Sequence, residues 1–213
     1  QPKVIPTLSP AQVFKHFAMR NIVLQDFRRI GKEYQTKEYD IPDYNFIVRP
    51  DYETVTKLLV ETLELLNKAE HSGSTLELAF DIETRVGHIS DIGFAWSSTS
   101  AICIPIMSAS KQEGYWTFEE EVQIIHLLLC IFSSPALRIL GQNFSYDAQY
   151  IYRHWCTVLT CHQDTMLSNH TCFPSMQKSL DFLSSLYCKH HIYWKDEGKE
   201  WNTSIGEEEH WIY

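Results

Sequence analysis

Thr75-Leu76-Glu77-Leu78-Ala79-Phe80-Asp81-Ile82, continued by Glu83-Thr84, has the composition of a buried strand and ends in charge. Ile92 to Trp96 and Ala101 to Ile106 share that composition, and three neighbouring strands joined by short turns predict an antiparallel meander. The period then changes. Thr117-Phe118-Glu119-Glu120 is a capping box, and Val122, Ile125, His126, Leu128 and Leu129 behind it predict a helix with a strong apolar face. Leu137 to Gly141 predicts a fourth strand, Phe144 to Trp155 another helix, and Ser179 to Tyr187 one more amphipathic helix. Strands first, then alternating helix and strand, make a mixed sheet flanked by helices, an α/β layer domain.

Upstream, Val55, Leu58, Leu59, Leu63 and Leu66 recur at helical spacing between Asp51 and Ala69, and His71-Ser72-Gly73-Ser74 ends that run. Residues 35–50 hold Pro42 and Pro50 without a sustained period and read as a linker. Lys3 to Thr7 reads as a short strand entering a Ser9-Pro10 turn, followed by helices over Ala11 to Phe17 and Asn21 to Gly31, with Gly31 as the stop. The expected organisation is a short α/β segment over 1–34, a linker over 35–50, a connecting helix over 51–74, and the main domain over 75–213.

The 213 residues are 44% hydrophobic, 21% charged and 13% aromatic, which supports a packed core and excludes disordered and collagen-like chains. No apolar run approaches the ~20 residues of a bilayer crossing, and Gln1 to Pro10 lacks the layout of a signal peptide. The expectation is an intracellular, cytoplasmic chain with no membrane partner. Cys103 and Cys130 sit in apolar runs, as small buried hydrophobes do. Cys156, Cys161, His162, His170 and Cys172 have irregular spacing and no C-x-x-C pair, so neither a zinc-stabilised module nor a disulfide framework is expected. Residues 1–50 carry eight Lys+Arg and five Asp+Glu, net +3, which leaves -12 of the total -9 on residues 51–213. That acidic part is a poor sponge for nucleic acid but supplies the oxygen ligands hard cations prefer.

Asp81 and Glu83 are two apart at a strand end, so their side chains leave the same sheet face with α-carbons about 6 to 7 Å apart. That spacing suits carboxylates sharing cations ~3.5 to 4 Å from one another. In Leu140-Gly141-Gln142-Asn143-Phe144-Ser145-Tyr146-Asp147, a strand ends at Gly141, Asn143 is placed to cap the next helix through its side-chain oxygen, and Asp147 lies one turn in. Each segment has an ordinary structural explanation by itself: a solvated strand end, and a first-turn acid facing the helix dipole.

Phe80-Asp81-Ile82-Glu83-Thr84, then Gly141 to Asp147, then Asp164-Thr165-Met166-Leu167 and Ser179-Leu180, resemble in order and spacing the 3′-5′ proofreading exonuclease domain of family A DNA polymerases. The resemblance spans about residues 75–213, and Ser179 to Leu186 with Tyr193 to Lys199 and Trp201 looks most like phage-type members. It implies a ribonuclease-H-like fold of DEDD type. It further implies two divalent cations, Mg2+ or Mn2+, with Asp81 bridging them, Glu83 on one and Asp147 on the other. The implied reaction is in-line hydrolysis of the 3′-terminal phosphodiester of DNA, one cation lowering the pKa of the attacking water and the other stabilising the departing oxyanion. The implied partners are a single-stranded DNA 3′ end and a polymerase domain C-terminal to this chain.

Asn143, Phe144, Tyr146 and Thr84 are the candidate substrate-side residues, Phe144 and Tyr146 because aromatic rings stack unpaired bases; Tyr150 is expected to pack in the core. The family's last carboxylate comes from a Y-x-x-x-D motif that does not occur here. The segment Glu208 to Tyr213 resembles the approach to it, making Tyr213 the tyrosine that orients the water and putting the aspartate beyond the last residue. Asp164 and Asp181 read as poorer substitutes, set in helical packing. The chain is therefore expected to be a fragment, impaired in cutting. The alternative is a non-catalytic nucleic-acid-binding or interaction domain of the same fold. Val4 to Ala11 with Val23 to Phe27 resembles the C-terminal part of an iron-sulfur-type uracil-DNA glycosylase, with Ser9 where that family usually has histidine, so no glycosylase activity is expected.

Overall fold

The computed structural model describes residues 3–38, 41–108 and 114–190. They divide into two compact units, one of residues 44–165 and the other of residues from 1–43 and 166–193.

The first unit is built on six strands: β1 (Asn45–Val48), β2 (Leu76–Arg85), β3 (His88–Ser97), β4 (Ser100–Pro105), β5 (Leu137–Gly141) and β6 (Cys161–Asp164). Their order is β1-β4-β3-β2-β5-β6. The β2-β3-β4 meander is antiparallel, and β1 on β4, β5 on β2 and β6 on β5 pair parallel. The sheet is therefore mixed, with helices α3 (Tyr52–Ser72), α4 (Phe118–Phe132) and α5 (Ser145–Trp155) inserted between its strands. This is the expected α/β layer architecture of the ribonuclease-H-like fold. Alternation decides which side of β2 is dry. Leu78, Phe80 and Ile82 are buried, while Glu77, Ala79, Asp81 and Glu83 between them are exposed.

The helices start and stop on local signals. Asp51 accepts the Thr54 N–H at 2.8 Å to open α3, and Gly73, at φ 69, closes it in the left-handed conformation that glycine tolerates best. The Thr117–Glu120 capping box forms as its residues predict. The buried face of α4, however, is Ile124, Leu128 and Ile131, while Val122 stays 51% exposed. The helix is apolar nearly all round, and only packing could choose its inner side. Val55, Leu59 and Leu66 of α3 join these residues and Phe80, Phe94, Phe132 and Phe144 in one core, with Phe80 within 5.3 to 6.0 Å of the other three rings.

Three features depart from the reading above. Residues 45–48, inside the expected linker, form edge strand β1, too short and too exposed to show an alternation. Residues 161–164 form β6, whose Cys-His-Gln-Asp composition carries no strand signal. The helix over 51–74 is not a connector but part of the sheet's core.

The second unit holds α1 (Pro10–Lys15), α2 (Arg20–Glu33), most of α6 (Thr165–Cys172), and α7 (Leu180–Tyr187). Residues 3–9 form no strand; Lys3 instead pairs with Glu33 at 2.8 Å and the Thr7 hydroxyl donates to Asp26 at 2.7 Å. Helix α2 runs past Gly31 to Glu33. Arg29 of α2 donates to the carbonyls of Ser185 at 2.8 Å and Cys188 at 3.1 Å, completing acceptors that the end of α7 leaves open. No helix among the described residues is long and apolar enough to cross a membrane.

Candidate active site

Strand β5 pairs with β2 only through Ala79, so the edge of β2 beyond that point has lost its neighbour. The Ile82 N–H, which a longer β5 would have engaged, is taken by the side chain of Asp147: its Oδ1 accepts at 2.9 Å. Asp147 is 2% exposed and lies in the first turn of α5. The contact carries its carboxyl beside Asp81, the neighbour of Ile82, close enough for the Asp81 charge to act on it. Burial first, and the Asp81 charge second, push the Asp147 carboxyl up to about 7, with the Ile82 N–H pulling the other way.

Glu83 leaves the same exposed sheet face as Asp81. The described residues contain no group of three or more His, Cys, Asp or Glu side chains close enough, as they stand, to hold a metal ion. The structure therefore brings Asp81 and Asp147 together and keeps Glu83 beside them on the strand without closing a three-carboxylate cluster. Asp91, which sequence reasoning missed, stands directly opposite Glu83 on β3. Burial pushes its carboxyl up to about 7, a Ser90 hydrogen bond opposes this, and the Glu83 charge adds to it. The pairing register shifts beside this pair, where Thr84 meets Ile89 and Ser90 is passed over, a bulge of the kind that re-aims side chains. No feature of residues 88–97 announces that register.

The β5–α5 turn is held differently from the sequence expectation. Asn143 does not cap the helix; it sits in the left-handed region at φ 56, and its own N–H is donated to Asp164 Oδ1 at 3.2 Å. Phe144 N–H reaches Asp164 Oδ2 at 2.9 Å. Asp164 is thus not in helical packing: it ends β6 and clamps the turn that leads into Asp147. Thr165 adds a hydroxyl contact to the Gly141 carbonyl at 3.2 Å. Gly141 is required here because a β-carbon would lie 2.6 Å from the Phe144 ring. Phe144 is 3% exposed inside the core and cannot stack a base, which corrects its assignment as a substrate-side residue.

Tyr146 remains accessible, and its hydroxyl shares a hydrogen bond with the Thr84 hydroxyl at 2.6 Å. Its ring leans on Tyr150 at 4.9 Å, and Tyr150 packs against the core as expected. Tyr213 lies outside the described residues.

The sequence model of the 3′-5′ exonuclease family matches residues 52–213. The chain belongs to the 3′-5′ exonuclease family. Among solved structures, this exonuclease chain is similar to the catalytic core of RRP6 from Trypanosoma brucei, at 13% identity and TM-score 0.52 over 78% of this chain and 41% of that one. It is also similar to the Nibbler EXO domain of Aedes aegypti, at 13% identity and TM-score 0.49 over 81% of each chain. RNase D of Escherichia coli, described as an exoribonuclease involved in structured RNA processing, matches at 13% identity and TM-score 0.47 over 73% of this chain and 36% of that one. At 13% identity the likeness to the RRP6 core is one of fold. The exonuclease chain spans less than half the length of the RRP6 and RNase D chains. No curated protein matches it.

Proposed function

We propose that the chain carries most of a site that hydrolyses the 3′-terminal phosphodiester of single-stranded DNA, with Asp81, Glu83 and Asp147 holding two divalent cations, as the proofreading domain of a phage-type family A polymerase does. The observation that carries this is the seat of Asp147: a buried carboxylate, fixed on the Ile82 N–H at 2.9 Å, next to Asp81 and one residue from Glu83. The donor set is all oxygen, and two acids pressed together in a partly dry site are stabilised by a compact dication, so these residues fit Mg2+ or Mn2+.

The cations, when bound, supply a water of lowered pKa and a counter-charge for the departing oxyanion. The protein supplies placement. Asp164 fixes the turn, the turn fixes the first helical residue positions, and those deliver Asp147 to the strand end. Glu83 leaves the same exposed face of β2 as Asp81 and would supply the third carboxylate to the cations. Tyr146, held by Thr84, presents a half-exposed ring beside the acids for a terminal base. The likeness of residues 1–34 to a glycosylase tail rests on Val4 to Ala11 and Val23 to Phe27 alone and adds no activity to this reading.

The test is incubation of the chain with 5′-labelled single-stranded DNA and RNA in Mn2+. Stepwise shortening from the 3′ end, preferring DNA and lost in Asp81→Ala, is the expected result. Retention of the oligonucleotide without shortening would leave the non-catalytic binding domain as the better reading, and equal or better cutting of RNA would remove the polymerase assignment.

A further inference from the structure

Helix α2 segregates its residues by chemistry in a way the exonuclease site does not use. On a helical projection Arg20, Leu24, Phe27 and Gly31 fall within about 60° of arc, with Arg28 and Lys32 along one flank. All six are exposed, Leu24 by 48% and Phe27 by 54%. The opposite side carries Asp26, Arg29 and Glu33, each engaged inward with Thr7, with the carbonyls of α7, or with Lys3. The acids of the helix are thus tied up on its inner face, and the outer face is basic and apolar.

Helix α1 extends the surface. It has no buried residue, Lys15 is exposed, and Phe14 and Phe17 are 92% and 68% exposed. The Arg20 guanidinium lies 4.5 Å from the Phe17 ring centroid, which fixes a cation beside an available aromatic face. Gly31 leaves a notch on the ridge, with no atom within 4 Å of where a β-carbon would stand.

We propose that the outer face of α1, α2 and the 3-10 turn Phe17–Met19 between them is a binding surface for single-stranded nucleic acid: Lys15, Arg20, Arg28 and Lys32 take phosphates, and Phe14, Phe17 and Phe27 take base faces. Charge complementarity selects the occupant. The surface lies in the net +3 segment of a chain whose remaining residues carry -12, so a phosphate backbone is drawn to it in preference to the acidic remainder. Exposed aromatic rings beside cations form the sequence-tolerant platform on which unpaired bases stack. The proposal rests on the reading of the chain as a nucleic-acid exonuclease.

The experiment is fluorescence anisotropy of a 5′-labelled dT20 with the 213-residue chain in EDTA, titrated at several salt concentrations. Four phosphate contacts give a slope of log K on log salt of roughly -3, and Arg20→Gln with Arg28→Gln together should reduce it to roughly half that. Phe27→Ser should weaken binding about tenfold with little change of slope. All these side chains are exposed, so circular dichroism should be unchanged; the charge variants carry the test if Phe27→Ser misfolds. Unaltered affinity and slope in both variants overturn the proposal. So does binding to phosphatidylserine vesicles, or dimerisation in sedimentation, that is lost in the variants while dT20 binding is not. Cutting of DNA by the unaltered chain in Mn2+ is scored separately. Cutting without any effect of the variants on binding sinks the surface alone, and loss of binding in the variants of a chain that never cuts sinks the exonuclease reading alone.

Discussion

Asp147 and Asp91 hold protons in the folded chain that the unfolded chain has lost, because burial raises both carboxyls from an ordinary 3.8 to about 7. The sign follows from proton binding: between about pH 4 and pH 7 the native state binds more protons than the unfolded state, so stability falls as pH rises through that window and levels off above it. In EDTA the melting temperature should decline from pH 4.5 to pH 7, and Mg2+ or Mn2+ should offset the decline by favouring the ionised acids. A flat profile in EDTA would mean both groups ionise normally. Asp147→Asn offers a second reading of the same physics. The amide oxygen can still accept from Ile82, but the repulsion from Asp81 is gone, so this variant should melt higher than the unaltered chain at pH 7.5 in EDTA and lose its response to the cation.

At the scale of elements, two turns bear on the acids. The β2–β3 hairpin closes through Val86 and Gly87 at φ 51 and 80, the positive-φ pair of a two-residue loop, and a β-branched valine is poorly suited to it. Val86 is 77% exposed and in this position contributes strain rather than packing. Val86→Asn should therefore stabilise the chain by about 1 kcal/mol in urea unfolding, with no change in the slope on denaturant. The β5–α5 turn behaves oppositely. Gly141→Ala puts a methyl 2.6 Å from a Phe144 ring that has core on its other sides, so it should destabilise by about 1 to 3 kcal/mol and displace Asp147 with the turn. Residual activity should then fall by more than the loss of folded fraction explains; a fall that matches it would show the turn is not what places the acid.

For the molecule as a whole, the division into units follows tertiary pairing rather than chain order, since residues from 1–43 pack with residues from 166–193. Arg29 carries a measurable part of that pairing through its bonds to Ser185 and Cys188 carbonyls. Arg29→Ala should cost about 1.5 to 3 kcal/mol, read as faster hydrogen exchange in α7 with exchange in β2 and β3 unchanged. What could be read in advance was whatever is encoded over a few neighbouring residues. Alternation in Leu76 to Ile82 placed Asp81 and Glu83 together on the wet face of a strand; Thr117–Glu120 and Gly73 marked helix ends; and a strand end followed by a helix put Asp147 one turn in. By itself, therefore, the sequence determined the α/β class and the two acidic segments, because side-chain direction and capping depend on local spacing. Only the tertiary structure decided that Asp147 completes the free edge of β2, that Asp164 clamps its turn, that Phe144 points inward, and that Asp91 faces Glu83. Each of those depends on where a second strand stops or how it slips in register, and a strand's end is set by contacts between residues tens of positions apart.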